Sequence, residues 1–222
     1  EVVAVWQAAR EMAGDFYDVF QLADGAFGIV VADVSDKGAP AALFMAAARS
    51  FIRGQAFGGH PPRETLSLAN DLMVEDADSG MFVTAYHTVF FPDGHCLNVN
   101  AGHNPPILYH NTDRTTETLP LGGRAMGWFK DNPLTEISLT LAPGDMLVYF
   151  TDGLIEAENR SGDGFGVDRL SRCVREMAGH SAHEVLQHII AQVTAFCEGR
   201  TLLDDVTVVI VRFSGKTEEK PT

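Results

Sequence analysis

The sequence predicts an α+β domain of stacked, mainly antiparallel β-sheets with pairs of helices on the outside. The predicted elements follow the order strands, two helices, many strands, two helices and a last strand. Most successive strands are joined by short turns, which favours antiparallel pairing. Helices that come in pairs suit the covering of a sheet face. A chain of 222 residues with 45% hydrophobic residues is long and apolar enough for one well-cored domain.

In the first part of the chain, apolar runs and turn residues mark the elements. Strands are predicted over residues 2–7, 18–21 and 27–32, the last two forming a hairpin. The strand 27–32 leads to Asp33, where we expect it to end. A helix then begins at Pro40, a residue suited to the first turn, and ends near Gly58. A second helix begins near residues 61–64 and has apolar residues at helical spacing.

The rest of the chain has many strands and two more helices. Strands are predicted over residues 82–91, 96–100, 107–110, 115–119, 134–141, 146–150 and 206–213. Helices are predicted near residues 167–177 and 182–198. Residues 1–214 are therefore interpreted as one domain, and the polar residues 215–222 as a disordered tail.

Composition excludes several function classes. The formal net charge of −14 argues against binding to nucleic acid or to an anionic membrane surface, although metal ions would still allow phosphate binding. The three cysteines form no CxxC pair, which favours a reducing, cytoplasmic location. We see no signal peptide and no membrane-spanning run. Because the sequence starts at Glu1 on a strand-like segment, we expect an upstream regulatory domain to be missing from it.

Acidic residues recur at the ends of apolar strands. Asp33 ends one strand, Asp152 follows another, the pair Asp204 and Asp205 precedes the last, and Asp15 lies upstream of the first hairpin. Each alone is best explained as a solvated turn residue. Together, carboxylates from strand ends far apart in sequence could converge on one site for a hard cation.

Six segments in the same order resemble the metal-dependent protein serine/threonine phosphatases (PPM, type 2C), and most closely the bacterial SpoIIE/RsbU type. They match the family patterns GGDFYD, DVSGKG with AAL, MFVT, AGHNPP, PGD with TDG and EA, and DDVT. In this chain they are residues 13–18, 33–43, 81–84, 101–106, 143–157 and 204–207. The resemblance covers nearly the whole chain and implies a four-layer αββα sandwich with a two-metal site between its sheets.

The resemblance also implies roles for individual residues. Asp33 would bridge two Mn²⁺ or Mg²⁺ ions, with the Val34 carbonyl and Asp15 at the same site. Asp152 and Asp204 would hold the second ion, and Asp205 would support these ligands from outside the direct coordination. Arg10 corresponds to a phosphate-binding arginine of eukaryotic relatives, and a surface arginine is nearly as good an explanation. No cofactor other than the metals is implied. Oxygen-only ligands suit Mg²⁺ or Mn²⁺.

Two positions depart from the bacterial family pattern, and a third differs from eukaryotic relatives. Ala13 replaces the first glycine of GGDFYD, and Asp36 replaces the glycine after DVS, which adds a negative charge beside the site. Ser35 stands where eukaryotic relatives carry a histidine proposed as general acid, so the sequence assigns no proton donor.

The sequence thus predicts a phosphatase that hydrolyses phosphoserine or phosphothreonine by attack of a metal-bridging hydroxide. The resemblance points to a substrate of the anti-sigma-factor-antagonist kind. Two rivals remain open: an inactive docking module with the phosphatase fold, and a metal-dependent hydrolase of a small phosphate ester. In the loop 124–133, Trp128 is either an exposed contact for a protein substrate or part of the core.

Overall fold

The computed structural model describes residues 1–9, 13–76 and 80–215. Their strands are β1 (Val2–Gln7), β2 (Phe16–Gln21), β3 (Phe27–Val34), β4 (Val83–Phe90), β5 (His95–Ala101), β6 (Ile107–His110), β7 (Thr115–Thr118), β8 (Glu136–Thr140), β9 (Met146–Phe150) and β10 (Val206–Arg212). Their α-helices are α1 (Ala39–Phe57), α2 (Pro62–Asp76), α3 (Asp152–Ile155), α4 (Gly166–Glu176) and α5 (Ala182–Phe196).

These strands form two five-stranded sheets. One has the order β1-β10-β9-β6-β7 and the other β2-β3-β4-β5-β8, and neighbours within each sheet pair antiparallel. The predicted sheet type is therefore confirmed. The expected end of β3 at Asp33 is one residue short, because the pairing with β4 continues to Val34. The short helix α3 was not predicted.

Three apolar clusters match the three interfaces of a four-layer sandwich. One lies between the first sheet and helices α4 and α5, and includes Phe150, Leu170 and Ile189. A second lies between the other sheet and helices α1 and α2. The third lies between the two sheets and includes Val31 and Tyr149. Burial on both faces explains why the central strands are apolar almost throughout. The predicted αββα sandwich is confirmed.

Two expectations concern residues that the structure does not describe. Arg10 lies outside the described residues, and so does the predicted disordered tail except for residue 215. Within the described part of the chain, no helix has the length and apolar character needed to cross a membrane.

Candidate active site

The hairpin β2–β3 brings the first two predicted metal ligands together. Its antiparallel register pairs Phe16 with Ala32, so the next positions, Asp15 and Asp33, lie side by side. The carboxyl groups of Asp15 and Asp33 are within hydrogen-bonding reach of each other. Asp15 is buried, and Asp33 is partly buried at the end of its strand.

The other two predicted ligands come from the opposite sheet. Asp152 follows β9 and begins α3, while Asp204 precedes β10, the neighbour of β9. A Cβ on Gly153 would lie 2.0 Å from the Asp205 carbonyl oxygen, so glycine allows α3 to approach this segment closely. The charge of Asp204 acts on both Asp152 and Asp33, which places all three in one acidic region.

Two threonines fix Asp15 between the sheets. The hydroxyl groups of Thr151 and Thr207 donate hydrogen bonds of 2.6 and 2.8 Å to Asp15 Oδ2. The Thr151 hydroxyl also accepts the backbone N–H of Thr207 at 2.9 Å. Both threonines are fully buried. Sequence reasoning missed them, although a threonine stands beside the acidic residues in both TDG and DDVT.

Asp205 has a different position from the other carboxylates. Its two oxygens accept the backbone N–H groups of Ala9 and Gly14, at 2.8 and 2.9 Å. These bonds tie the start of β10 to the segment that carries Asp15. This arrangement fits the role that the resemblance implied for Asp205, which is to support the metal ligands rather than to bind the metal directly.

The turn after Asp33 is held by hydrogen bonds between Ser35 and Phe82. Ser35 exchanges two hydrogen bonds with Phe82: its N–H donates to the Phe82 carbonyl, and its Oγ accepts the Phe82 N–H, both at 2.9 Å. Asp36 has a φ of 71°, a conformation that glycine adopts more easily. A Cβ on Gly14 would lie 2.8 Å from the Val34 oxygen, so the absent side chain leaves room around this predicted ligand.

The electrostatics of the site favour a bound cation. Burial, and then the charge of Asp33, raises the pKa of Asp15, although hydrogen bonds from the threonines oppose this shift. Burial and the charge of Asp152 likewise raise the pKa of Asp33. The pKa of Asp152 is raised by burial and by Asp204. Carboxylates that repel one another in a partly buried site are stabilised by positive charge.

The donor set fits a hard divalent ion. It consists of carboxylate oxygens and a backbone carbonyl, and the cysteines are buried elsewhere. Among the described residues, no three acidic, histidine or cysteine side chains are close enough to form a ready-made metal cage. The carboxylates instead form two halves, Asp15 with Asp33 and Asp152 with Asp204. Sequence reasoning also missed Lys37, whose ammonium group lies 2.9 Å from Asp204 Oδ2.

Comparisons with known proteins agree with this geometry. Residues 23–214 match the profile of the family described as Stage II sporulation protein E (SpoIIE). The chain is 31% identical to Protein IcfG of Synechocystis sp. and 29% identical to Phosphoserine phosphatase RsbU of Bacillus subtilis, over 95% and 96% of its length. It spans only 37% and 63% of those two proteins. The SiaA-PP2C domain of Pseudomonas aeruginosa superposes with a TM-score of 0.83 at 24% identity, over 96% of this chain and 85% of that one.

Proposed function

The chain belongs to the SpoIIE family of PPM-type phosphatase domains, and on this premise we propose that it hydrolyses phosphoserine or phosphothreonine in a partner protein. One observation supports this more than any other. Carboxylates from strand ends of both sheets meet at one edge of the sandwich, where Thr151 and Thr207 fix Asp15. The relative RsbU is named a phosphoserine phosphatase, which supports the same substrate class here.

In this proposal the carboxylates hold two divalent cations, Mn²⁺ or Mg²⁺. Asp15, Asp33 and the Val34 carbonyl would hold one, Asp33 would also contact the other, and Asp152 and Asp204 would complete that second position. When bound, such ions neutralise phosphate charge and lower the pKa of water for attack on phosphorus. Asp205 would act indirectly, by holding the backbone at Ala9 and Gly14 and so the position of Asp15.

The remaining groups of the site limit the choice of proton donor. The Ser35 hydroxyl is engaged with the Phe82 amide. This bond positions Ser35 Oγ in the turn as an acceptor. Since a serine hydroxyl is no stronger an acid than the serine or threonine that leaves, we assign protonation of the leaving oxygen to water. The resemblance extends the proposal to a substrate of the anti-sigma-factor-antagonist kind. Arg10 stays a proposed phosphate-binding residue from the sequence.

The test is release of phosphate from a phosphoserine protein, measured after EDTA treatment and again after adding Mn²⁺ or Mg²⁺. We expect activity only with added metal, and loss of activity in Asp33→Asn. Release from p-nitrophenyl phosphate but from no phosphoprotein would favour the small-ester hydrolase. Absence of release from every substrate, with retained binding of a phosphoprotein, would favour the inactive docking module.

A further inference from the structure

The ammonium group of Lys37 forms an ion pair with Asp204, one of the proposed metal ligands. Lys37 Nζ is 2.9 Å from Asp204 Oδ2 and donates a second, longer hydrogen bond of 3.3 Å to the Leu203 carbonyl. The side chains of Lys37 and Asp204 are 41% and 39% exposed. The pair is therefore accessible to solutes, and an exposed pair of this kind is easily broken.

The backbone around Lys37 directs this side chain toward the site. Lys37 stands between Asp36 and Gly38, which both have positive φ, at 71° and 86°. This turn joins β3 to α1, so it belongs to the sheet that carries Asp33, whereas Asp204 belongs to the other sheet. Lys37 thus links the two halves of the acidic site.

Three acidic residues lie around the cavity that Lys37 lines. With Asp204, Glu156 and Glu158, Lys37 lines a cavity of about 380 Å³ beside Gly153. The pKa of Asp152 is raised by burial and by Asp204 and lowered by Lys37, so the lysine offsets part of the repulsion there. A phosphate group entering this cavity would meet the carboxylates of Asp204, Glu156 and Glu158. Of these, Glu158 is paired with Arg200 at 3.1 Å. Lys37 is the cation among the described residues that line this cavity.

We propose that Lys37 has two alternative partners, the Asp204 carboxylate and the phosphate group of the substrate. This inference rests on the proposed function. A cation at Asp204 must displace the ammonium group, and a bound phosphate gives that group a new partner. Phosphate binding and cation binding at Asp204 therefore strengthen each other, as linkage requires. Lys37 is thus a phosphate-binding residue that favours the fully loaded site when substrate is present.

The test measures Mn²⁺ binding by calorimetry or by electron paramagnetic resonance, with and without inorganic phosphate, at matched free Mn²⁺ concentrations. The position at Asp204 should be the weaker of the two, because a cation there competes with Lys37. In the unmodified chain, phosphate should tighten this weaker Mn²⁺ site. In Lys37→Gln, the weaker site should bind Mn²⁺ about 2- to 5-fold more tightly without phosphate, the range expected for loss of an exposed ion pair. The added tightening by phosphate should shrink in this variant.

Two further variants make the result specific. Lys37→Arg keeps the charge and should behave like the unmodified chain. Lys130→Gln removes a comparable surface pair, with Glu75 at 2.7 Å, and should leave Mn²⁺ binding unchanged. Equal or weaker Mn²⁺ binding in Lys37→Gln, or an undiminished phosphate effect, would overturn the inference.

The outcome also separates this inference from the proposed function. Binding is measured without turnover, so a chain that binds Mn²⁺ and hydrolyses phosphoserine but is unaffected by Lys37→Gln refutes the role of Lys37 alone. A chain that binds no Mn²⁺ refutes both.

Discussion

The Thr151 hydroxyl donates a 2.6 Å hydrogen bond to the Asp15 carboxylate, although 136 positions separate the two residues. This bond joins the end of β9 in one sheet to the start of β2 in the other. It also places Asp15 beside the segment that begins with Asp152. The acidic site is therefore fixed across the interface of the two sheets.

Replacing Thr151 by valine should weaken metal binding. Valine has nearly the same shape but cannot donate, and a hydrogen bond to a charged group contributes about 1.5–3 kcal/mol. Without the bond from Thr151, the pKa of Asp15 should rise further and the Asp15 carboxylate should be less well oriented. We therefore expect Mn²⁺ affinity to fall about tenfold or more. Calorimetry provides the measurement. Thr194→Val, which removes an exposed hydroxyl bonded to the Ile190 carbonyl, is the matched control. Unchanged affinity in Thr151→Val would show that Thr207 is sufficient.

Asp33 and Asp205 should respond differently to the same substitution. Asp33→Asn removes a proposed bridging charge and should lower kcat by about a thousandfold or more, with little loss of stability. Asp205→Asn keeps one acceptor but weakens the bonds to the Ala9 and Gly14 amides. We expect a lower melting temperature and a far smaller loss of turnover. Equal losses of turnover at saturating metal would contradict the assignment of the two residues.

The stability of the metal-free protein should depend on pH. The pKa of Asp15 is raised to about 8 and that of Asp33 to about 7, mainly by burial, from an ordinary value of 3.8. The folded state therefore keeps protons that the unfolded state releases. The stability that these two groups contribute is full below about pH 4, falls as pH rises above 4, and is lost once pH has passed the folded values of about 7 and 8.

Urea unfolding in EDTA should show this fall between about pH 5 and 8 and no further fall above that range. Saturating Mn²⁺ should reduce it, because the cation replaces the protons. Asp33→Asn should also reduce it, since one carboxyl is removed. If the urea midpoint in EDTA rises with pH, the predicted direction of the pH dependence is wrong.

Asp18 should stabilise the position of α1. This buried carboxylate accepts from Arg53 Nη1 at 2.7 and 2.9 Å and from Arg49 at 3.1 Å, and both arginines belong to α1. Asp18→Asn should lower the free energy of unfolding by about 1–3 kcal/mol, because the partly exposed arginines lose a charged partner. Since α1 follows the Asp33–Gly38 turn, Mn²⁺ affinity should fall as well.

Glu75→Gln, at the surface pair with Lys130, is the control and should cost less than about 1 kcal/mol. If urea unfolding gives the same loss of unfolding free energy for Asp18→Asn and Glu75→Gln, the link between Asp18 and α1 adds no stability.

Trp128 should contribute to substrate docking. Its side chain is 48% exposed, yet its ring lies 4.2 Å from that of Phe82 and its indole N–H donates to the Gly80 carbonyl. The ring is thus anchored next to the Ser35 turn while the residue stays half-exposed. Trp128→Ala should raise KM for a phosphoprotein about 5- to 30-fold, the range of a contact residue, and change p-nitrophenyl phosphate hydrolysis little.

Phe129→Ala tests whether the effect is specific to Trp128, since Phe129 is 63% exposed on the same loop. Equal loss of activity on both substrates, with a lower melting temperature, would assign Trp128 to packing alone.

The sequence by itself determined the stacked α+β fold through its local patterns, and the resemblance of its six segments to the family implied the αββα layering. Strand and helix patterns are local, because burial alternates or repeats along each element, so the bounds of β1, β6 and β9 follow directly from composition. Asp15, Asp33, Asp152 and Asp204 stand out because charged residues at the ends of buried strands are conspicuous.

Only the tertiary structure decided which partners these residues have. The bonds of Thr151 and Thr207 to Asp15, the brace from Asp205 to Gly14, and the ion pair of Lys37 with Asp204 each join residues more than 130 positions apart. Their geometry depends on how the two sheets stack and where loops from opposite sheets approach. No local pattern contains that information, because a threonine or lysine beside an acidic residue has the same sequence context whether it faces solvent or the site.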